Sequence, residues 1–144
     1  MDVYFDSAII VKLYVQEINS ADAIRLVSAH TAPYVLTWWQ ALEVRNAIRL
    51  KAFRGEITLT EMTQSLLALD ADAGSGRWIQ PIYNVVALEQ KAEALSAANA
   101  ATVGCRSLDI IHVAAALVIG VKEFVTLDYR QAALARAAGL KVRS

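Results

Sequence analysis

The chain has 144 residues, the size of one ordinary domain, which is long enough to bury a substantial core. Hydrophobic residues make up 56% of it and the mean hydropathy is +0.38, yet no apolar run has the roughly 18 residues that a membrane-spanning helix needs. The 14 basic and 14 acidic residues balance, which argues against a nucleic-acid binder that depends on bulk positive charge.

Hydrophobic periodicity and breaker residues predict alternating strands and helices along the chain. In the first half we expect strands at 2–6 and 33–36 and helices at 7–15, 20–30, 38–54 and 58–71, the last capped by Thr58 or Thr60. A loop at 72–76 is then followed by a strand at 78–83, a helix at 86–101, a connection at 102–106, a helix at 108–119, a strand at 123–127, a helix at 129–138 and a strand at 140–143. Strands separated by helices predict a parallel sheet covered on both faces, in a single α/β domain over residues 1–144.

Cysteine content and the start of the chain bear on location. Cys105 is the only cysteine, which excludes an internal disulfide and fits a reducing cytoplasm. Met1, Asp2 and Val3 lack the basic start of a secretory signal, so we expect a cytoplasmic protein without processing. We attribute the apolar excess to a subunit or partner interface rather than to a membrane.

Four acidic residues stand where a charge is least expected. Asp6 and Asp128 end apolar strands, Asp109 is the only charged residue between Ser107 and Val121, and Glu43 follows an uncharged run. Burying a carboxylate that has no partner costs roughly several kcal/mol of folding free energy. Because ligands bind beyond the carboxyl ends of parallel strands, the four acids together predict an oxygen-ligand site for Mg²⁺ or Mn²⁺.

Helix capping is the alternative explanation for three of these acids. Asp6, Asp109 and Asp128 lie at or near predicted helix starts, where Asp commonly accepts hydrogen bonds from free N–H groups. Glu43 does not fit this explanation because it lies several residues inside its helix. Capping therefore accounts for three of the four acids, whereas a metal site accounts for all four.

Other candidate residues have simpler interpretations. His112 lies in an apolar segment and is expected to be a core residue with one hydrogen-bonded nitrogen. Arg45 and Arg49 share a helix face, which is either a solvated basic face or a strip that follows phosphates beside Glu43. Trp38 and Trp39 are expected to anchor a core or an interface.

The sequence around the four acids resembles the PIN-domain ribonucleases, and among them the VapC-type toxins of bacterial toxin–antitoxin pairs. The matching segments are residues 4–14 (YFDSAIIVKLY), 42–47 (LEVRNA), 107–116 (SLDIIHVAAA), 124–128 (FVTLD) and 133–140 (ALARAAGL). The resemblance extends over nearly the whole chain, but residues 55–85 carry no motif.

This resemblance implies a three-layer α/β/α domain with a central parallel sheet of about four or five strands and an acidic pocket that holds Mg²⁺ or Mn²⁺. Asp6, Glu43 and Asp109 match the three core acids of the family, and Asp128 matches the more variable fourth. Thr126 and Ser7 match positions that can orient acids or bound water. Implied partners are a homodimer mate, a VapB-like antitoxin and an RNA substrate, with operator DNA bound only through the antitoxin.

The expected chemistry is hydrolysis of RNA phosphodiesters by a metal-activated water. Four carboxylates in one pocket repel one another, so without a cation some remain apart, and a divalent ion brings them to working geometry. One alternative is a catalytically silent PIN-like module that only binds a protein or RNA partner. Another is a phosphoryl-receiver or phosphatase-like domain, for which the sequence lacks a suitably placed lysine at the end of a strand.

Overall fold

The computed structural model describes residues 1–144 as an α/β protein with seven helices and five strands. In chain order the elements are β1 (Val3–Phe5), α1 (Ser7–Tyr14), α2 (Ser20–Ser28), β2 (Tyr34–Val35), α3 (Trp38–Phe53), α4 (Leu59–Gly74), β3 (Trp78–Ile79), α5 (Val85–Val103), α6 (Ser107–Ile119), β4 (Glu123–Val125), α7 (Tyr129–Ala137) and β5 (Lys141–Arg143). The chain forms two compact units. The first unit comprises Met1–Asp6 and Pro81–Ser144, and the second comprises Ser7–Gln80.

A three-stranded parallel sheet organises the first unit. Its strand order is β1-β4-β5, and Phe5 lies opposite Val125, which in turn lies opposite Arg143. The rings of Tyr4 and Phe124 stack in its core with centroids 5.4 Å apart. Because β1 and β4 are parallel and in register, the residues that follow them, Asp6 and Thr126, emerge at the same edge of the sheet.

The second unit is mostly helical. Helix α1 packs against α2 and α3, α3 packs against α4, and β2 pairs in parallel with the short strand β3. Its core contains the fully buried side chains of Ile9, Ile10, Ile48 and Leu69. Burial of such side chains contributes about 1.5–3 kcal/mol each, which holds the helices together despite the two-residue strands.

Side-chain caps begin several helices, and the cap of α4 is one of the two candidate residues that the sequence predicts. Thr58 caps α4 and receives the Glu61 N–H, while Glu61 reaches back to the Thr58 N–H. Thr37 and Gln40 form the same capping box at the start of α3. Helix α6 ends at Gly120, whose φ of +86° is a left-handed conformation that other residues adopt only with strain.

The prediction is wrong in two places within the second unit. Helix α4 continues to Gly74, so the first three residues of the loop expected at 72–76 belong to the helix. The expected strand at 78–83 is only Trp78–Ile79, since Pro81 has no N–H to continue a ladder. The predicted parallel pairing is confirmed, but the five strands form one sheet of three strands and one of two. None of the helices has the length and apolar character needed to cross a bilayer.

Candidate functional site

Asp6 lies at the carboxyl end of β1 and is held by β4. Its backbone N–H donates to the Val125 carbonyl at 3.0 Å, and its Oδ2 accepts a hydrogen bond from the Thr126 hydroxyl at 2.9 Å. Thr126 is fully buried, and its hydroxyl oxygen also accepts the backbone N–H of Asp128 at 3.0 Å. Thr126 therefore connects two of the predicted acids. Asp6 itself is only 8% exposed.

Asp109 lies in the first turn of α6 and is 6% exposed. Its Oδ2 accepts two hydrogen bonds from Arg106, one from the backbone N–H at 2.9 Å and one from Nε at 3.2 Å. The backbone bond is the return half of a capping box. The side-chain bond is an ion pair whose cation is mostly solvent-exposed.

Asp128 is the N-cap of α7. Its Oδ1 accepts the backbone N–H groups of Arg130 at 2.8 Å and Gln131 at 3.1 Å. The capping explanation is therefore correct for Asp109 and Asp128. Asp6 differs from both, because its carboxylate accepts a hydrogen bond from the side chain of Thr126, which directly follows the neighbouring strand β4. Capping occupies Oδ2 of Asp109 and Oδ1 of Asp128, and the second oxygen of each takes no part in these bonds.

Asp6, Asp109 and Asp128 all belong to the first unit, and the charge of each raises the pKa of Arg106. The pKa of Arg106 is raised first by the hydrogen bond from its side chain to Asp109, then by the charge of Asp109, and further by the charges of Asp128 and Asp6. Burial of Arg106 opposes the rise by more than the charge of either Asp128 or Asp6 adds to it. Of the three aspartates, Asp109 is the one that contacts the Arg106 side chain directly, and Asp128 and Asp6 act on it only through their charges.

No protein-family model matches the chain. A search of curated proteins also finds no match. The functional interpretation consequently depends on the residues themselves.

Glu43 belongs to the second unit and lies in the middle of α3. Its Oε2 accepts a hydrogen bond from the Ser7 hydroxyl at 2.7 Å. Ser7 is the first residue of α1 and directly follows Asp6 in the sequence. The resemblance implies that Ser7 and Thr126 orient acids or bound water without naming partners, and in the structure Ser7 donates to Glu43 and Thr126 donates to Asp6.

Carboxylate oxygens are the ligands that Mg²⁺ and Mn²⁺ prefer, so the chemistry of the predicted set suits a hard divalent cation. As they are arranged in the structure, however, no group of three or more His, Cys, Asp or Glu side chains could hold a metal ion. Asp6, Asp109 and Asp128 of the first unit therefore do not form a ready-made metal site in this arrangement.

The other predicted residues divide between structural and surface roles. His112 is buried and its Nδ1 lies 2.9 Å from the Tyr4 hydroxyl, which confirms it as a hydrogen-bonded core residue. Trp39 is buried, whereas Trp38 is exposed. Arg45 forms an ion pair with Asp70 of α4. That pairing makes Arg45 a poorer candidate for holding phosphate than the sequence predicts.

A second polar cluster lies in the second unit. The Tyr14 hydroxyl donates to Asp72 Oδ2 and accepts from Trp78 Nε1, each at 2.6 Å, and Arg77 pairs with the same Asp72 oxygen at 3.0 Å. Burial, and then the hydrogen bond to Asp72, hold the pKa of Tyr14 well above its usual range. The hydroxyl thus stays protonated at physiological pH, and the cluster has a structural role.

A cavity of about 480 Å³ adjoins this cluster between α1 and α4. Its two acidic residues already have partners, since Glu56 pairs with Lys51 at 3.2 Å and Glu61 takes part in the α4 capping box. We therefore assign it no ligand.

Sequence reasoning missed three residues beside the acids. Arg106, Tyr129 and Arg130 lie at the starts of α6 and α7, and all three are exposed. Arg106 could have been found from its spacing, because it precedes Asp109 by three residues, the separation of a helix-start ion pair. Nothing in the sequence indicates that Tyr129 and Arg130 share a surface with Arg106.

Proposed function

We propose that the chain is a Mg²⁺- or Mn²⁺-dependent endoribonuclease of the PIN-domain type and the toxin of a toxin–antitoxin pair. The observation that carries the proposal is that Thr126 joins the carboxylate of Asp6 to the backbone of Asp128, with Asp6 and Asp109 both more than nine-tenths buried. The charges of all three aspartates also raise the pKa of Arg106. Burying carboxylates is costly, and helix capping, which accounts for Asp109 and Asp128, gives no reason for the buried Asp6.

The charge balance of this cluster supports a divalent cation. Three carboxylates carry three negative charges, and Arg106 supplies one positive charge through a single side-chain hydrogen bond to Asp109. Arg130 is also close enough for Asp128 to raise its pKa, but it is exposed and its Nε donates to Tyr129. A doubly charged ion would offset the remaining negative charge better than exposed side chains can.

Each acid has a role in this proposal. Asp6 and Asp109 are the main metal ligands and Asp128 completes them, and the sequence adds Glu43, which lies in the second unit. Thr126 holds Asp6 and Ser7 holds Glu43, so the carboxylates keep defined orientations. When bound, the metal supplies a water of lowered pKa and stabilises the oxygen that leaves phosphorus.

The finer architecture and the partners belong to the same proposal. A three-layer domain with one central sheet of four or five strands, spanning residues 1–144, is the arrangement that the resemblance implies. For the antitoxin and the homodimer, support comes from large apolar side chains exposed on α3 and α4: Trp38, Leu42, Phe53, Leu59 and Leu67. Exposed apolar residues in this number are typical of a protein interface. A cytoplasmic location follows from the same proposal.

Calorimetric titration with Mn²⁺ tests the metal site. We expect the parent protein to bind Mn²⁺ and to gain thermal stability in its presence. Asp6→Asn and Asp109→Asn should each weaken binding by at least about tenfold, since even the loss of a residue that only supports a ligand costs that much. Asp22→Asn is the matched control, because Asp22 is exposed and lies on α2 in the other unit. Equal Mn²⁺ affinity in all three variants would refute the ligand assignment.

Cleavage of a labelled RNA with and without Mn²⁺ then tests the reaction. We expect cutting only with metal, in the parent and in Asp22→Asn but not in Asp6→Asn.

A catalytically silent module that binds protein or RNA is the second candidate. The observation that favours it is that Asp109 and Asp128 already act as helix caps, and no ready-made group of ligands is present. Such a module predicts no stabilisation by Mn²⁺, so the same titration distinguishes the two functions.

A further inference from the structure

Exposed cationic and aromatic side chains border the three aspartates. The Arg106 side chain is 74% exposed and donates only its Nε to Asp109. Tyr129 follows Asp128 directly and is 76% exposed, which is unusual for an aromatic residue in a helix that packs against its neighbours. Arg130 comes next in the chain and is also exposed.

Arg130 and Tyr129 form a defined pair. The Arg130 Nε donates to the Tyr129 hydroxyl at 3.1 Å, and the guanidinium carbon lies 5.6 Å from the ring centroid. The contact keeps a cation beside the ring, within the range of a cation–π interaction. It also limits the freedom of two long side chains that would otherwise move independently in solvent.

Arg106 is the N-cap residue of α6 and Arg130 lies in the first turn of α7, two helices that pack against each other. The hydrogen bond with Tyr129 contributes most to raising the pKa of Arg130 and the charge of Asp128 raises it further, whereas the charge of Arg106 lowers it. Two exposed cations that repel each other gain free energy when an anion binds between them, and a guanidinium matches the geometry of a phosphate oxygen pair.

We propose that Arg106, Tyr129 and Arg130 form a binding site for one nucleotide of single-stranded RNA beside the acids, which we name the rim site. The guanidiniums of Arg106 and Arg130 bind the backbone phosphate, and the Tyr129 ring stacks on the base. The choice of RNA as the ligand rests on the proposed ribonuclease function.

The rim site explains how a chain without net positive charge could hold a polyanion next to carboxylates. Phosphate contacts from a few arginines supply the affinity locally, and stacking adds a contribution that tolerates any base. Exposed guanidiniums at the border of the acids offset repulsion between the acids and the RNA backbone.

Fluorescence anisotropy with a short fluorescein-labelled oligouridylate tests the rim site. The titrations are done in EDTA, so that neither cleavage nor metal binding contributes, at salt concentrations between about 50 and 200 mM. For single strands each phosphate contact contributes about 0.7 to the slope of log affinity against log salt. We expect Arg106→Gln and Arg130→Gln each to lower the magnitude of this slope by about 0.7.

Tyr129 variants test the stacking. Tyr129→Ala should weaken binding by about fivefold or more, whereas Tyr129→Phe, which keeps the ring, should stay within about twofold of the parent. Arg25→Gln is the matched control, since Arg25 also makes an ion pair with an aspartate three positions away but lies on α2. This control should change neither affinity nor slope.

Several outcomes would overturn the rim site. They are an unchanged slope in both arginine variants, equal affinity of Tyr129→Ala and the parent, or no binding of the oligonucleotide by the parent. Arg106→Gln fails as a test if it does not fold once its contact with Asp109 is lost. In that case the salt dependence of Arg106→Lys and of Arg130→Gln tests the rim site instead. We expect Arg106→Lys to keep the parent slope, and Arg130→Gln to lower it. Failure here is distinct from failure of the metal proposal, which is measured by Mn²⁺ binding without RNA.

Discussion

Replacement of Thr126 by valine tests how Asp6 is held. The Thr126 hydroxyl donates to Asp6 Oδ2 at 2.9 Å and accepts the Asp128 N–H at 3.0 Å, and the residue is fully buried. Valine has nearly the shape of threonine but can make neither hydrogen bond. Thr126→Val therefore removes the donor to a buried carboxylate and the acceptor of a backbone N–H without opening a large cavity.

The two lost contacts set the expected magnitude. A hydrogen bond to a charged group contributes about 1.5–3 kcal/mol, and a neutral one contributes about 0.5–1.5 kcal/mol. We therefore expect Thr126→Val to lower the free energy of unfolding by about 2–4 kcal/mol. With a urea m-value of about 2 kcal/mol/M, the midpoint of unfolding should fall by about 1–2 M.

Urea denaturation in EDTA, followed by circular dichroism, measures the change. Thr126→Ser is the matched control because serine keeps the hydroxyl and loses only a methyl group, at a cost of about 1 kcal/mol. In an Asp6→Asn background, Thr126→Val should cost less, since its partner is then uncharged. The reasoning is refuted if Thr126→Val is no less stable than Thr126→Ser, because the hydroxyl would then contribute nothing to Asp6 or to Asp128.

Two further predictions concern the second unit. Tyr14→Phe removes the hydroxyl that connects Asp72 with Trp78 and should lower the free energy of unfolding by about 1–3 kcal/mol, measured in urea; a loss below about 0.5 kcal/mol would contradict that role. Burial by itself would raise the pKa of Glu17, but hydrogen bonds from Lys12 and Lys51 lower it below its ordinary 4.5. A lowered folded-state pKa gives stability that is present above that ordinary value and is lost as the pH falls through the folded-state value. The stability of Glu17→Gln should thus decline less steeply than that of the parent as the pH falls below 4.5, and equal slopes in acid denaturation would exclude a contribution from this ion pair.

Features governed by near neighbours in the chain were predictable from the sequence. The capping box of Thr58 and Glu61, the helix end at Gly120 and the capping roles of Asp109 and Asp128 each depend on residues within four positions of one another. Asp6 directly follows β1 as the apolar run before it predicts, whereas β4 ends three residues before Asp128, which is the N-cap of α7. The placement of Asp6 beside β4 was expected only through parallel pairing, which the register of β1 with β4 confirms.

Features that depend on distant residues were not predictable in the same way. The sequence left Arg45 either on a solvated basic face or beside phosphate, but it pairs with Asp70, 25 positions away, because α3 and α4 pack against each other. The pairing of β3 with β2 also joins residues far apart in the sequence, and the sequence did not identify this partner. Nothing local showed that Arg106 and Arg130 lie within electrostatic range.

The sequence by itself determined which acids would end strands and begin helices, because those positions depend on short-range hydrogen bonding and on apolar periodicity. Only the tertiary structure decided which of them share a guanidinium and which is held by Thr126, a partner 120 positions from Asp6. The physical reason is that charges act through space, and the separation between two side chains is set by how strands pair and helices pack rather than by their separation along the chain.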